Sequence, residues 1–159
     1  PLPDVARQMN TSLCADNELC RFITLWFGCL ELGSGSLEYV NAGHDSPVLL
    51  RQNAVESLPP SENMPLGVWD EAEFISGSIK LQSGDTLLLY TDGVTEAMDS
   101  NGNGFGRERL CEAVLAAASD GTTKASGIIG NVLDRVRQHA SGTDQSDDIT
   151  MLCLRYIGN

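Results

Sequence analysis

The sequence predicts an α+β fold built on antiparallel sheets, and three observations carry that prediction. Short apolar runs separated by Gly-, Ser- and Asn-bearing turns occupy the chain as far as Tyr90. Two stretches with apolar residues at helical spacing follow, and one more apolar run closes the chain. Strands in series followed by helices in series indicate α+β, whereas a doubly wound fold alternates the two. The third observation is the run Leu87-Leu88-Leu89-Tyr90. It has too many consecutive apolar residues for a strand with one wet face and suits a strand covered on both sides, so helices are expected outside the sheets.

The elements are taken in order. Val5, Met9 and Leu13 recur every fourth residue, so 4–15 is expected to be a short amphipathic helix. Phe22 to Leu30 reads as a long aromatic-rich strand, Gly33-Ser34-Gly35-Ser36 as a turn, and Leu37 to Ala42 as the returning strand of a hairpin. After the turn Gly43-His44-Asp45-Ser46-Pro47 come Val48 to Leu50, a Gln52-Asn53 turn, and a short strand from Val55 to Leu58. Pro59 to Trp69 is expected to be a loop, Phe74 to Ile79 an alternating strand, and Ser83-Gly84-Asp85 a turn into the Leu87 run. Arg107 to Ala118 and Lys124 to Ala140 carry helical spacing, the second with Thr122 or Thr123 as a candidate cap. Ser141 to Asp148 is a polar loop, and the last strand runs from Ile149 to Tyr156. No repeat or internal boundary interrupts residues 1–159, which are read as a single domain.

At 159 residues the chain can bury one real core. Ten basic against 22 acidic side chains give a net charge of −12. That argues against nucleic acid, whose phosphates need a positive face, and against an anionic membrane surface. No apolar stretch approaches the ~20 residues of a membrane helix, and the N-terminus shows no signal-peptide core. The five cysteines are odd in number and scattered, with Cys29, Cys111 and Cys153 inside apolar runs. Buried free thiols in a reducing cytoplasm are therefore expected, and the triplet Asn10-Thr11-Ser12 is not expected to be glycosylated there.

The chemistry-bearing residues are acids at strand ends. Asp92 ends the Leu87 run and is followed by Gly93, which lets the backbone turn. Asp147-Asp148 precedes the final apolar run. Two buried strands that each present a carboxylate at one end could converge on a hard metal ion.

Five segments, in order, then align with a known family: Asn41-Ala42-Gly43-His44, Pro65-Leu66-Gly67, Gly84-Asp85 through Tyr90-Thr91-Asp92-Gly93-Val94-Thr95-Glu96-Ala97, Phe105-Gly106 and Asp147-Asp148-Ile149-Thr150. The series resembles the bacterial SpoIIE/RsbU-type phosphatases of the metal-dependent PP2C (PPM) class. The resemblance implies a four-layer αββα sandwich, with two antiparallel sheets flanked by helices. It implies two Mn²⁺ or Mg²⁺ ions held by acids at one sheet edge, and hydrolysis of phosphoserine or phosphothreonine on a regulatory protein. In that family the substrate is of the anti-sigma-factor-antagonist type, and a sensor or receiver domain lies upstream. By motif position Asp92 and Asp147 are the metal-binding, catalytic acids, Asp148 is a neighbour of the ligands, and Gly43 and Gly93 set backbone geometry; no ligand role transfers to His44. The family also has an upstream Gly-Asp-aromatic-x-Asp strand whose acid bridges both metals. Neither Asp4 nor Asp16 sits in that pattern, and Gly84-Asp85 is the later turn. The chain is therefore expected to be the C-terminal part of such a domain, with the N-terminal strands missing and little turnover by itself. A second reading stays open: a catalytically degenerate phosphatase fold that binds a phosphoprotein without turnover.

Other phosphatase chemistries fail on spacing. No cysteine has Arg six residues on, as a Cys-x5-Arg site needs, and Asp92 is followed by Gly93-Val94 rather than by x-Asp-x-Thr. Gly-x-Ser-x-Gly and the P-loop are absent. Two hard cations ~3.5–4 Å apart can instead activate water and neutralise phosphoryl oxygens without a protein nucleophile. Asp99 to Gly104 matches the opening of a calcium-binding EF-hand loop, but its twelfth position is Leu110 where a Glu is needed, so a polar turn is expected. Asp120-Gly121 is expected to be a turn, His44 a hydrogen-bonded turn residue, His139 a helix-end cap, and Trp26 and Trp69 core residues.

Overall fold

The computed structural model describes residues 1–15, 17–119, 124–145 and 147–158. Asp16, Asp120-Gly121 and the candidate caps Thr122 and Thr123 lie outside the described residues. The chain forms two compact units: Pro1–Ser46 with Pro59–Gln82 and Gly158, and Pro47–Leu58 with Ser83–Ile157.

The first unit holds helix α1 (Leu2–Cys14) and an antiparallel sheet of β1 (Leu25–Glu31), β2 (Ser36–Ala42) and β5 (Gly77–Lys80), in the order β1-β2-β5. The predicted hairpin is present, with Leu25 opposite Ala42 and Glu31 opposite Ser36. Ala6 of α1, Val40, Ala42, Leu66, Ala72 and Phe74 form its buried core. Asn10 is fully buried on α1. Its amide nitrogen donates to the Trp69 and Asp70 carbonyls at 2.8 and 3.2 Å, and its oxygen accepts the Gly67 N–H at 2.8 Å. A buried amide satisfied in this way fixes the loop after Pro65-Leu66-Gly67 to the helix.

The second unit holds β3 (Val48–Arg51), β4 (Ala54–Ser57), β6 (Thr86–Tyr90), α2 (Gly106–Ser119), α3 (Ala125–His139) and β7 (Met151–Arg155). Its sheet order is β4-β3-β6-β7, all antiparallel. Gln52 and Asn53 both have positive φ, at 49° and 60°, the requirement of a two-residue hairpin turn whose twist matches its strands. Leu88, Tyr90, Val94, Leu110, Val114, Ile128, Val132 and Val136 are among the buried residues that bind this sheet to α2 and α3. Thus β6 is the strand covered on both sides that the leucine run predicts.

Several expectations are corrected. β7 is not a buried strand: it is an edge strand, and Leu152 is 57% exposed. Phe22 is 62% exposed and Ile23 makes only a bridge to Leu66, so β1 begins at Leu25. The strand expected from Phe74 begins at Gly77, because the N–H and C=O of Ile75 are both taken by the Asn63 side chain, at 2.8 and 3.0 Å. The cysteines are free, but none is fully buried, and Cys20 and Cys29 are exposed. Cys29 lies on β1, which pairs only with β2 among the described strands. Trp69 is 54% exposed rather than core, while Trp26 is half-buried and stacks on Tyr39 with centroids 5.2 Å apart.

A buried ion pair ties this second sheet together. Asp85, 3% exposed, receives two nitrogens of Arg51, with Nη2 at 2.6 Å and Nε at 3.0 Å from Oδ2. The hydrogen bond to Asp85 raises the Arg51 pKa above its ordinary value. The Gly84-Asp85 segment, expected to be only a turn, thus supplies the acid that fixes the β3 end to the start of β6.

Candidate active site

The site is built where β6 leaves its sheet. Covered on both faces, β6 delivers the chain rigidly to Tyr90, and a single 3₁₀ turn, Asp92–Val94, follows. Val94 and Ala97 are buried, so the turn is anchored from below while Asp92 stays exposed. The Asp92 carbonyl accepts the Glu96 N–H at 2.8 Å and the Thr95 hydroxyl at 3.2 Å. One Asp92 carboxylate oxygen accepts the Gly93 N–H at 3.0 Å. Glu96 itself is exposed.

The Asp147-Asp148 segment lies directly against this turn. A Cβ on Gly93 would stand 2.5 Å from the Asp148 carbonyl oxygen and 3.1 Å from that of Asp147. Gly93 is not in the left-handed region. Glycine is needed here for close approach of two backbones, not for the sharp turn expected from sequence. The Asp147 segment is held in its turn: Asp147 Oδ1 accepts the Asp148 N–H at 2.7 Å, and Gln145 Nε2 donates to the Asp147 carbonyl at 2.8 Å. The Thr91 hydroxyl donates to the Asp148 carbonyl at 2.9 Å. Asp92 and Asp147, distant in sequence, are therefore on adjoining turns, and both carboxylates face solvent.

Among the described residues no Lys or Arg forms an ion pair with Asp92, Asp147 or Asp148. Three uncompensated acids on two touching turns make a locally negative surface, and carboxylates are the oxygen donors that Mg²⁺ and Mn²⁺ take. They fit part of such an ion's shell. Among the described residues no group of three or more His, Cys, Asp or Glu side chains gathers to hold a metal. Two of the thiols are made poorer nucleophiles by their surroundings: burial pushes Cys153 up to about 11 and also raises Cys111.

The other singled-out residues have structural places. His44 is a turn residue as expected: its N–H donates to Asn41 Oδ1 at 2.8 Å, and its ring Nδ1 lies 3.3 Å from the Thr24 hydroxyl. Gly43 has φ +74°, and a Cβ there would meet the Pro65 ring at 2.5 Å. The Asp99 segment is the expected polar turn, with Oδ1 accepting the Asn101 and Asn103 N–H groups at 2.9 and 2.8 Å. His139 does not bond the end of its own helix: Nε2 meets the Asn103 carbonyl at 2.9 Å, and the ring stands edge-on to Phe105. Sequence reasoning missed Thr91, whose hydroxyl joins the two acid-bearing turns. Its only sequence signal was its place beside Asp92.

Two antiparallel sheets flanked by helices, with acids on the turn that ends a central strand, define a PP2C-like αββα phosphatase fold. The chain matches the solved RsbU and RsbW domains of Rv1364c from Mycobacterium tuberculosis with a TM-score of 0.73 and 25% identity, over 94% of this chain and 40% of that one. The family described as Stage II sporulation protein E (SpoIIE) matches residues 1–157, and the chain belongs to that family. Among curated relatives, Protein IcfG of Synechocystis sp. (strain ATCC 27184 / PCC 6803 / Kazusa) is 33% identical over 141 residues, covering 86% of this chain and 21% of its own length. The phosphoserine phosphatase RsbU of Bacillus subtilis (strain 168) is 23% identical over 155 residues, covering 95% of this chain and 44% of its own. The chain thus spans less than half the length of each of these three proteins. No helix among the described residues is long and apolar enough to cross a membrane.

Proposed function

We propose that residues 1–159 are a single phosphatase domain, or most of one, that hydrolyses phosphoserine or phosphothreonine on a regulatory protein in a bacterial partner-switching pathway. Asp92 and Asp147 are its metal-holding acids, and Mn²⁺ or Mg²⁺ its cofactor. The observation that carries this reading is the contact of the Gly93 backbone with the Asp147 and Asp148 carbonyls, which sets two acid-bearing turns side by side. The similarity to a protein named a phosphoserine phosphatase supports the substrate class. A bound dication supplies charge neutralisation and Lewis-acid polarisation at phosphoryl oxygens. The chain's own contribution is to hold two exposed carboxylates on adjoining turns, one of them at the end of a rigid strand. The partner is a phosphorylated anti-sigma-factor antagonist, a sensor or receiver domain governs the activity, and the protein acts in the cytoplasm.

One observation favours a second reading, a phosphoprotein-binding module without turnover: among the described residues no third ligating side chain joins the two acids. One experiment separates the two. Phosphate release from a phosphoserine protein is measured with Mn²⁺ and after chelation, for residues 1–159 alone and for the intact protein. Metal-dependent release by the intact protein supports the enzyme. Capture of the phosphoprotein with no release from either supports the binding module.

A further inference from the structure

We propose that Thr91 is the positioning residue that fixes the spacing between the Asp92 turn and the Asp147-Asp148 turn. The inference rests on the reading of Asp92 and Asp147 as the site acids.

Tyr90 pairs with Met151 at the end of the β6–β7 ladder, so the next pair in register is Thr91 and Thr150. In a regular antiparallel ladder a hydrogen-bonded pair exchanges two N–H···O=C bonds. Here one of the two is ordinary: the Thr91 N–H donates to the Thr150 carbonyl at 3.0 Å. The other is diverted. The Thr91 carbonyl accepts the Val94 N–H at 3.0 Å and so closes the 3₁₀ turn that carries Asp92. The Thr150 N–H then bonds the Thr91 hydroxyl instead, at 2.9 Å. That hydroxyl in turn donates a hydrogen bond to the Asp148 carbonyl at 2.9 Å.

The hydroxyl thus stands in for the carbonyl. It lets β6 leave the sheet for the Asp92 turn while the neighbouring chain stays attached through Thr150 and Asp148. Both functions need one group that accepts and donates within a single side-chain length, which a hydroxyl does and a methyl cannot. Gly93 then brings the Asp147 and Asp148 carbonyls into contact with the same turn. Without the hydroxyl, the Thr150 N–H and the Asp148 carbonyl lose their partner and the two turns are free to part.

The test compares Thr91→Val, which keeps the shape, with Thr91→Ser, which keeps the hydroxyl, in the intact protein. The first readout needs no metal: amide hydrogen exchange at Thr150. Exchange is expected to accelerate by about fivefold or more in Thr91→Val, the value of one ordinary hydrogen bond, with the Leu89 and Leu152 amides, the next hydrogen-bonded pair in the ladder, unmoved. Thr91→Ser is expected to restore protection. The second readout is the Mn²⁺ dissociation constant, expected to rise by about tenfold in Thr91→Val, the scale set by groups that orient metal ligands. It should return to near the wild-type value in Thr91→Ser, and kcat should fall with KM for the phosphoprotein unchanged. Unchanged exchange and unchanged Mn²⁺ affinity in a folded Thr91→Val would overturn the inference. If Thr91→Val does not fold, a folded Thr91→Ser that loses Mn²⁺ affinity overturns it equally. Asp92→Asn separates the two levels. If it abolishes Mn²⁺ binding while Thr91→Val leaves binding intact, only the Thr91 inference falls; if Asp92→Asn leaves binding intact, the site reading falls and this inference with it.

Discussion

Gly93 and Asp148 stand so close that a side-chain carbon on the first would lie 2.5 Å from the carbonyl oxygen of the second. The obstructing atom is backbone, already engaged by the Thr91 hydroxyl, so it cannot swing aside as a flexible side chain would. Gly93→Ala is therefore expected to force the two acid-bearing turns apart. The cost should fall in the overpacking range of about 1–3 kcal/mol. Urea denaturation measures the stability, and loss of Mn²⁺ affinity measures the displacement of the acids. A variant as stable as wild type with unchanged metal affinity would show that the turns tolerate separation.

The Arg51–Asp85 pair gives a second stability prediction, independent of the site. Asp85 is 3% exposed while the Arg51 side chain keeps 22% of its surface in solvent. Removing one partner of a buried pair costs about 3–5 kcal/mol, and the part-open Arg51 places Asp85→Ala at the lower end, about 3 kcal/mol. Arg51→Met takes the guanidinium away from the more deeply buried carboxylate and should cost at least as much. The double replacement Arg51→Met with Asp85→Ala should cost less than the sum of the two single losses, because neither charge is then left without the other. Chemical denaturation of the two single variants and the double one checks it, and additive losses would contradict the coupling.

How much of this was legible in the sequence depended on where each residue's partners lie. β6 could be read directly, because a strand covered on both sides carries its burial in its own composition. β7 could not: its apolar residues resemble those of a buried strand, yet Leu152 is on an edge and open to solvent. The start of β5 was misjudged because Asn63, twelve residues away, takes both backbone groups of Ile75. Trp69 was misjudged because its loop is held through backbone groups by Asn10, so the ring itself is not needed in the core. The turns that carry Asp92 and Asp147 each lie in a motif of their own, but that the two turns adjoin shows only in the Gly93 contact. The place of Thr91 was not legible, because its hydroxyl bonds a carbonyl and an N–H contributed by Asp148 and Thr150.

The Asp99 turn yields a pH prediction. Hydrogen bonds from the Asn103 side chain first, then from the Asn103 and Asn101 N–H groups, lower its pKa to about 2. The unfolded value is about 3.9. A carboxylate depressed on folding contributes stability that is present above the unfolded value and is lost as pH falls through the folded one. The turn is therefore expected to hold at neutral pH and to loosen between about pH 4 and pH 2. NMR titration of the Asp99 carboxyl carbon should place its midpoint near 2 in the wild type and move it upward in Asn103→Ala. An ordinary midpoint in the wild type would mean the carboxylate does not cap this turn in solution.

The last prediction concerns Asp92 and its ion. Asp92 is exposed, has no basic partner among the described residues, and shares its surface with Asp147 and Asp148. Among the described residues no basic side chain offsets these negative charges. A dication that binds only the folded chain should raise its stability by about 2.7 kcal/mol at one hundred times the dissociation constant. Asp92→Asn keeps the side chain's shape and its acceptor toward the Gly93 N–H but removes the charge. One unit-charge interaction at about 4 Å is worth about 4 kcal/mol at an effective dielectric near 20, enough to remove the gain at the same Mn²⁺ concentration. Without metal, the variant should be as stable as wild type or slightly more so, since one uncompensated negative charge is gone. Thermal unfolding of both proteins, with and without millimolar Mn²⁺, tests the two halves together, and phosphate release in the intact protein should nearly vanish in the variant. Equal stabilisation of Asp92→Asn and wild type by Mn²⁺ would place the ion elsewhere on the chain and remove Asp92 from the site.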